Sequence, residues 1–574
     1  MKHFLRTWLV GLCLGLSLAS AQAQISCRPA TPAEAAVYTT PLLMPGVVSP
    51  KDGTCFVNQF KVRGSDGVEL AANVFLPAGA AQGQKFPAVV FITSWAVAEF
   101  FEYVGAQHKL AQRGYVALAY TSRGFWNSGG VVRVASPQDV SDVSSAIDLL
   151  LAQTPADPAR VGVTGISYGA GLSLLSLAND PRIKTAVAMS GWGDLVEQLY
   201  ANQVPNQTWA AFLLASGYAT ARMDPEIAQM AGRILNPDST PADIEIAKAW
   251  AAPRSPSAKA VVDAINARQA PVMIAKNWRD EMFTPNSSMA LFARLTGPKK
   301  LMLQPGIHAS TELPGATLGA PNAIYDEAGR WFDRWLKGVP NGIDTEPKVK
   351  LQPRPGMPYE TLSSWPAPEL KSTTFHMGPR GALRWDLFCL CWKGTTGTLS
   401  TAGPAPRGSN TINNWLDTTA TTGLVPVISP LADSVGLPVL NLTSTVLRDQ
   451  GIRYQSNPVA AVTRIRGIPR VNLRVTPSQA RGMLVAHLYS VDPLGWGTLI
   501  THGARAVHWA TPKASMDFSF DLNATAYDVP AGHRIELVFD TTDSLYAAPV
   551  RLGEIFGMNL ETGGSGASLV LPVR

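Results

Sequence analysis

Between Arg160 and Leu177 the chain reads RVGVTGISYGAGLSLLSL, and few folds accommodate such a run. Val161 to Thr164 is short and apolar, as a buried strand is. Gly165-Ile166-Ser167-Tyr168-Gly169 follows, and the small and apolar residues beyond predict a packed helix. Gly-x-Ser-x-Gly between a strand and a helix is a nucleophile elbow, a sharp turn that lifts the serine hydroxyl out at the top of a sheet. Glycine suits both flanking positions because the turn brings backbones close and strains the dihedrals. The helix N-terminus favours negative charge beside Ser167, where an oxyanion would form. A Gly/Ser turn in an ordinary α/β protein carries the same pentapeptide, and it is the flanking strand and helix that favour the nucleophile.

The rest of the chain is arranged around this run. Strand-like segments at Phe86–Ile92, Tyr115–Tyr120 and Lys184–Ser190 alternate with helical spacing at Glu99–Arg113 and Pro137–Leu151. Such alternation predicts a mostly parallel sheet with right-handed crossovers. Upstream, Phe56–Arg63 and Glu69–Leu76 alternate about Asp66-Gly67 as a hairpin does. The alternation breaks at Trp192, a candidate substrate contact, and from 195 to 267 only helical patterns appear, with Tyr200, Trp209, Tyr218 and Trp250 among them. A helical insertion after a sheet strand lies over the carboxyl ends of the strands, where open α/β sheets bind ligands, and so reads as a cap. Strands at Pro271–Lys276 and Lys300–Gln304 and helices at Asn286–Leu295 and Asn322–Lys337 resume the sheet. Past a Gly/Pro-bearing linker, Gly338–Pro347, short alternating runs such as VNLRVTP, MLVAHLYSV and RIELVFDTT predict an all-β sandwich. A chain of 574 residues needs more than one such core. The expected organisation is a removable segment at 1–23, an arm at 24–54, a catalytic domain at 55–194 and 268–340, the cap at 195–267, and the β-domain at 346–574.

The first segment has a basic start through Arg6, an apolar run from Trp8 to Leu18 that is short for a bilayer, and Ala21-Gln22-Ala23 at cleavage spacing. It reads as a secretory signal cut after Ala23, which predicts a secreted or periplasmic protein without a stable membrane anchor. Lys2 and Arg6 leave with it, so the formal charge of +6 becomes +4. That is mild for this length and no dense Lys/Arg block occurs, so nucleic acid is not an expected partner. Export permits disulfides, and Cys27, Cys55, Cys389 and Cys391 allow three pairings. A Cys27–Cys55 bridge would pin the arm to the first strand. Cys389 and Cys391 would form a local bridge or stay reduced; a zinc site lacks further ligands at suitable spacing.

An elbow serine needs a base and a group that orients the base. The loop after Pro271–Lys276 reads Asn277-Trp278-Arg279-Asp280-Glu281, and the loop after Lys300–Gln304 reads Pro305-Gly306-Ile307-His308. Ser167, Asp280 and His308 thus follow in the order nucleophile, acid, base, with Glu281 as the rival acid. No metal or cofactor is expected, since His308 has only Glu312 near it in sequence.

With these residues in view the chain resembles the cocaine-esterase and X-prolyl dipeptidyl-peptidase group of serine hydrolases. The resemblance rests on TSRGFWNSGG, the elbow GISYGA, PVMIAKNWRD before the acid, PKKLMLQPGIHAS before the histidine, and VNLRVTP and AGHRIELVF in the β-domain. It implies an α/β-hydrolase domain, a helical cap, a jelly-roll domain walling the active site, and activity on esters, acyl amides or peptides. It also implies an oxyanion hole built from the backbone N–H of Tyr168 and a tyrosine hydroxyl from the loop after the third strand. That loop here reads Ile92-Thr93-Ser94-Trp95-Ala96, with Trp95 in the tyrosine's position. The indole N–H of Trp95, its backbone N–H or the Ser94 hydroxyl would then supply the second donor, or the ring would line an acyl pocket.

The expected function is that of a secreted serine hydrolase cleaving an ester or amide through an acyl-enzyme. Two alternatives stand beside it. An X-prolyl or other aminopeptidase would need acids to hold a free amine, and Glu99 and Glu102 are the candidates, unless they are solvated first-turn carboxylates. A non-catalytic binding protein on the same scaffold would be expected to lose a triad member, and this chain keeps all three.

Overall fold

The computed structural model describes residues 25–37, 44–387, 391–423, 428–564 and 566–574. The expected signal segment lies outside these, as does Cys389, on which the alternatives for Cys389 and Cys391 depend. The described residues form two large sheets.

The first sheet contains β1 (Arg28–Pro29), β2 (Val47–Val48), β3 (Cys55–Arg63), β4 (Glu69–Leu76), β5 (Phe86–Ile92), β6 (Val116–Tyr120), β7 (Ala156–Ile166), β8 (Ile183–Met189), β9 (Val272–Asn277), β10 (Lys299–Gln304), β11 (Val349–Leu351) and β12 (Glu360–Leu362). Their order is β1-β2-β3-β4-β6-β5-β7-β8-β9-β10-β11-β12, and the run from β6 to β11 is parallel throughout. Every residue of β5 and β6 is buried, because helices cover both faces of the sheet. The arm carries α1 (Pro32–Val37) and is tied to β3 by a Cys27–Cys55 disulfide, the pairing expected.

Two differences from the sequence reading stand out here. The helix expected over Glu99–Arg113 is broken into α1's successors α2 (Glu99–Glu102) and α3 (Val104–Gln112), with Tyr103 between them at φ −112°. The Tyr103 hydroxyl donates to the Ile92 carbonyl at 3.1 Å and accepts the Ile166 N–H at 2.7 Å, so it locks the ends of β5 and β7 together. The first strands past residue 346 do not join the second sheet. Leu301, Met302 and Leu303 of β10 pair with Val349, Lys350 and Leu351, so β11 and then β12 extend the first sheet, and the second sheet starts at Lys371.

The remaining helices of this half are α4 (Pro137–Gln153), α5 (Tyr168–Asn179), α6 (Leu195–Leu199), α7 (Gln207–Thr220), α8 (Pro225–Leu235), α9 (Pro241–Ala251), α10 (Lys259–Ala267), α11 (Pro285–Arg294), α12 (Leu313–Leu318) and α13 (Ala323–Lys337). Ser136 caps α4 with a reciprocal Asp139 contact, and Thr240 and Asp243 do the same for α9. Helices α6 to α10 lie between β8 and β9 in the chain, where the cap was expected, and no strand interrupts them.

The second sheet runs from Lys371–Gly378 to Ser568–Val573 and is antiparallel apart from one parallel pair, Thr396–Ser400 with Ile452–Ser456. It forms a β-rich, jelly-roll-like domain with its own core, in which Leu473, Val485, Phe518 and Leu537 are buried together, and one short helix, Ile428–Ser434, interrupts its strands. The two halves are joined by directed polar contacts. Asn286 donates to the Leu522 carbonyl at 2.9 Å and accepts the Ala524 N–H at 2.7 Å, and Arg466, itself fully buried, bonds Glu360 at 2.7 Å.

Candidate active site

The elbow forms because β7 ends beside β5 and β8 with no room to spare. Ile92 pairs with Gly165 and Ile166 with Met189, and the Ser167 N–H donates to the Met189 carbonyl at 2.8 Å. Ser167 sits at φ 56°, ψ −114°, a strained conformation for a non-glycine residue. A Cβ on Gly165 would collide with the Gly169 backbone, and one on Gly169 would collide with the Ile92 carbonyl. Both glycines are therefore fixed by packing.

The loops after β9 and β10 bring the other two residues to this turn. The Ser167 hydroxyl donates to His308 Nε2 at 2.8 Å, and His308 Nδ1 lies 3.1 Å from each oxygen of Asp280. Asp280 is fully buried, while His308 keeps a tenth of its side chain exposed. Burial pushes the Asp280 carboxyl up, but the Lys276 charge, with His308 adding to it, outweighs burial and holds the group below its ordinary value. The rival acid, Glu281, points elsewhere. Its carboxylate meets His502 Nε2 of the β-domain at 3.0 Å, and His502 Nδ1 meets the Tyr546 hydroxyl at 2.8 Å.

The structure gives four residues other partners than those expected. The Trp95 indole N–H donates to the Leu213 carbonyl of α7 at 3.0 Å, and an indole has a single N–H, so it is not free for an oxyanion. The Ser94 hydroxyl is likewise committed, to Glu102 and to the Ile166 carbonyl at 2.9 Å. The backbone N–H of Trp95 is the candidate left for the second donor; that of Tyr168, the first residue of α5, has no intrahelical acceptor. Glu99 and Glu102 do not face the site as amine anchors, nor are they solvated. The break at Tyr103 turns both inward, where Glu99 accepts from Thr121 and Glu102 accepts the Ser94 N–H at 2.8 Å. Glu102 holds the loop after β5 through Ser94, and burial pushes its carboxyl up to about 7.

A cavity of ≈130 Å³ opens from Ser167 into the cap. Trp95, Tyr168, Trp192 and Phe283 surround its base, and aliphatic residues of α6 to α9 form its walls. Trp192 is buried against Gly171 of α5, with its ring 5.4 Å from Phe283. Lys248 is the one charged residue of the lining, and it is paired with Glu245 at 2.8 Å. Two contributors escape sequence reasoning. Trp209 of the cap reaches over His308, ring centres 6.2 Å apart, and Lys276 lies buried against Asp280. A lysine at the end of an apolar strand carries a signal only once Asp280 four residues on is known to be buried. Among the described residues, no group of three or more His, Cys, Asp or Glu is arranged to hold a metal, and no helix is long and apolar enough to cross a membrane.

Comparison with known proteins places this geometry. Residues 66–310 match the family model of X-Pro dipeptidyl-peptidase (S15 family), and residues 341–564 match that of the X-Pro dipeptidyl-peptidase C-terminal non-catalytic domain. A putative Xaa-Pro dipeptidyl-peptidase of Streptomyces avermitilis is 28% identical over 38% of this chain and 36% of its own length. A putative serine esterase of Mycobacterium bovis is 22% identical over 84% of this chain and 90% of its own. The chain spans about a third of the length of the first curated relatives it matches. A solved CocE/NonD family hydrolase from Staphylococcus aureus shares the fold, with a TM-score of 0.66 at 14% identity over 91% of this chain and 94% of that one. The two family models match one segment in each sheet-bearing half, in sequence, and the chain belongs to the cocaine-esterase and X-prolyl dipeptidyl-peptidase-like family of α/β-hydrolase serine hydrolases.

Proposed function

We propose that this protein is an exported serine hydrolase that cleaves esters of apolar acyl groups through an acyl-enzyme formed on Ser167. The observation that carries the reading is the run of contacts from the Ser167 hydroxyl through His308 to buried Asp280. His308 takes the Ser167 proton as the hydroxyl oxygen attacks the carbonyl carbon, and passes it to the leaving oxygen as the tetrahedral intermediate collapses. Asp280 keeps the proton of Nδ1 directed at itself and stabilises the imidazolium. The backbone N–H groups of Tyr168 and Trp95 receive the oxyanion. Water, activated by His308 in turn, releases the acid and frees Ser167.

The acyl group enters the cavity above Ser167, whose walls offer aliphatic and aromatic surface. Trp192 belongs to that binding surface. An aminopeptidase reading is less well supported, because the cavity lining includes no carboxylate to hold a free ammonium and Glu99 and Glu102 are engaged elsewhere. Export is inferred from the N-terminal sequence pattern together with the Cys27–Cys55 bridge. A fluorophosphonate probe should label the wild-type protein at Ser167 and leave Ser167→Ala unlabelled. Hydrolysis of an aminoacyl ester should not fall when its amine is acetylated. Equal labelling of both proteins would refute the nucleophile, and a strict need for the free amine would restore the peptidase.

A further inference from the structure

On β9 Lys276 follows four apolar and small residues, Val272 to Ala275, and is wholly buried. A buried ammonium is costly unless every donor is met. Here all three are. Lys276 Nζ donates to Asp280 Oδ2 at 2.7 Å, to the Phe283 carbonyl at 2.6 Å and to the Gly191 carbonyl at 3.1 Å. Three acceptors around one nitrogen match an ammonium, since a neutral amine has two N–H groups. The contacts tie three pieces together. Gly191 follows β8, Lys276 lies on β9, and Asp280 and Phe283 close the turn after it, where the Phe283 N–H also donates to Asp280 Oδ1 at 2.9 Å. The Phe283 ring packs edge-on to His308, 5.4 Å centre to centre. The same nitrogen therefore fixes the acid, the turn that carries it and the aromatic face against the base.

We propose that Lys276 is a positioning residue of the hydrolytic site: its ammonium orients the Asp280 carboxylate toward His308 and offsets part of its charge, setting the pH at which His308 becomes a base. The proposal rests on the reading of Ser167, His308 and Asp280 given above. Its sign follows from electrostatics. A positive charge at Asp280 Oδ2 reduces the negative potential at the imidazole, and removing it would favour the protonated ring. The other charged groups near by are already engaged. Glu281 is held by His502, Arg279 faces Asp433 at 3.3 Å, and Glu312, on the turn after His308, accepts from Ser190 at 2.6 Å and Asn277 at 3.0 Å. The cap meets His308 with the uncharged ring of Trp209.

The test compares the full-length wild type with Lys276→Gln, Lys276→Met and Lys276→Arg. The readout is the rate constant of fluorophosphonate labelling between about pH 5 and 9, a per-site quantity independent of how much protein folds, together with kcat and KM on a neutral p-nitrophenyl ester. Lys276→Gln keeps donors but loses the charge, and Lys276→Met loses both. In each the acid limb should move up by about one pH unit with KM little changed, whereas Lys276→Arg should keep the wild-type limb. An unmoved limb in the Gln and Met variants would overturn the proposal. So would failure of all three variants, Arg included, to give protein that labels, since Lys276 would then serve the fold alone. A wild type that does not label at Ser167 would instead remove the hydrolase reading itself, whatever the variants do.

Discussion

Two walls meet above Ser167, and they are built on opposite principles. Behind His308 the ends of β8, β9 and β10 supply Ser190, Lys276, Asn277, Asp280 and Glu312, all buried and each bonded to a named neighbour. On the other side α6 to α9 supply Leu195, Leu199, Leu214, Ile227 and Met230, which bond to nothing in particular and define a shape. A polar group buried with discrete partners is intolerant, because losing one partner strands the other at a cost of about 1–3 kcal/mol. An aliphatic wall responds to volume in graded steps. The first wall should therefore govern rate and the second should govern which acyl group is accepted.

The sharpest way to break this division is at the acid. Asp280→Asn should cost about 10⁴ in kcat, because the amide cannot hold the Nδ1 tautomer and leaves the Lys276 charge without its counter-ion. Glu281→Gln should leave kcat within about tenfold, acting through the His502 contact and hence on stability. Steady-state kinetics on the two variants decide the matter, and a larger loss in Glu281→Gln would assign the acid wrongly. On the apolar wall, Leu214→Trp should lower kcat/KM for a bulky acyl ester roughly 10–100-fold and spare the acetyl ester. An equal loss on both esters would mean that the cap shapes the machinery and not only the pocket.

Trp95 stands where the walls join, and its expected effect is smaller. With its indole N–H given to Leu213, Trp95→Phe loses a hydrogen bond to the cap but no oxyanion donor. Turnover of a small ester should stay within about threefold, with any change appearing in KM for larger acyl groups. A fall of about 10² in kcat on the small ester would show that the ring turns over during catalysis to serve the oxyanion.

How much of this was legible in the sequence follows the same division. That the loops carrying Asp280 and His308 meet the elbow is legible because a parallel sheet places its loops at the carboxyl ends of successive strands, so order along the chain fixes order in space. The Cys27–Cys55 bridge, which belongs to one of the three schemes that four cysteines allow, is the one that pins the arm to the first strand. Lys276 was passed over because its charge makes sense only against a carboxylate from the next loop. The position of Trp209 over His308 depends on how an inserted helix folds back, which no local pattern encodes. The sequence suggests surface or site carboxylates at Glu99 and Glu102 because Tyr103 is compatible with a continuous helix. Its interruption of that helix follows from where its hydroxyl goes, into the backbone of β5 and β7. The late start of the second sheet has a similar cause: β11 is three residues long, and its buried Val349 and Leu351 are stabilised by β10 and not by an apolar run of their own.

The two buried acids of the site sharpen the comparison at its finest scale. Asp280 has a cation at bonding distance and is held down, so it works as a carboxylate. Glu102 faces the Ser94 N–H and hydroxyl, with Tyr103 beside it, and burial pushes it up to about 7. The hydrogen bonds agree with a neutral acid. The Ser94 hydroxyl has both Glu102 and the Ile166 carbonyl within reach, yet it carries one proton. If Glu102 is protonated, its O–H donates to Ser94 Oγ, Ser94 donates to Ile166, and nothing is left unmet. The folded protein then holds a proton that the unfolded chain releases above its ordinary value of 4.5. Stability from this group is complete below that value and is lost as pH rises toward about 7. Glu102→Gln imitates the protonated form, its carbonyl accepting from the Ser94 N–H and its amide donating to Ser94 Oγ. Activity should remain within about threefold, and the decline of melting temperature over this pH window should flatten, as followed by calorimetry. A loss of about 10² in kcat, or an unchanged slope, would mean that Glu102 acts as an anion beneath the oxyanion loop, and that the site relies on two charged carboxylates and not one.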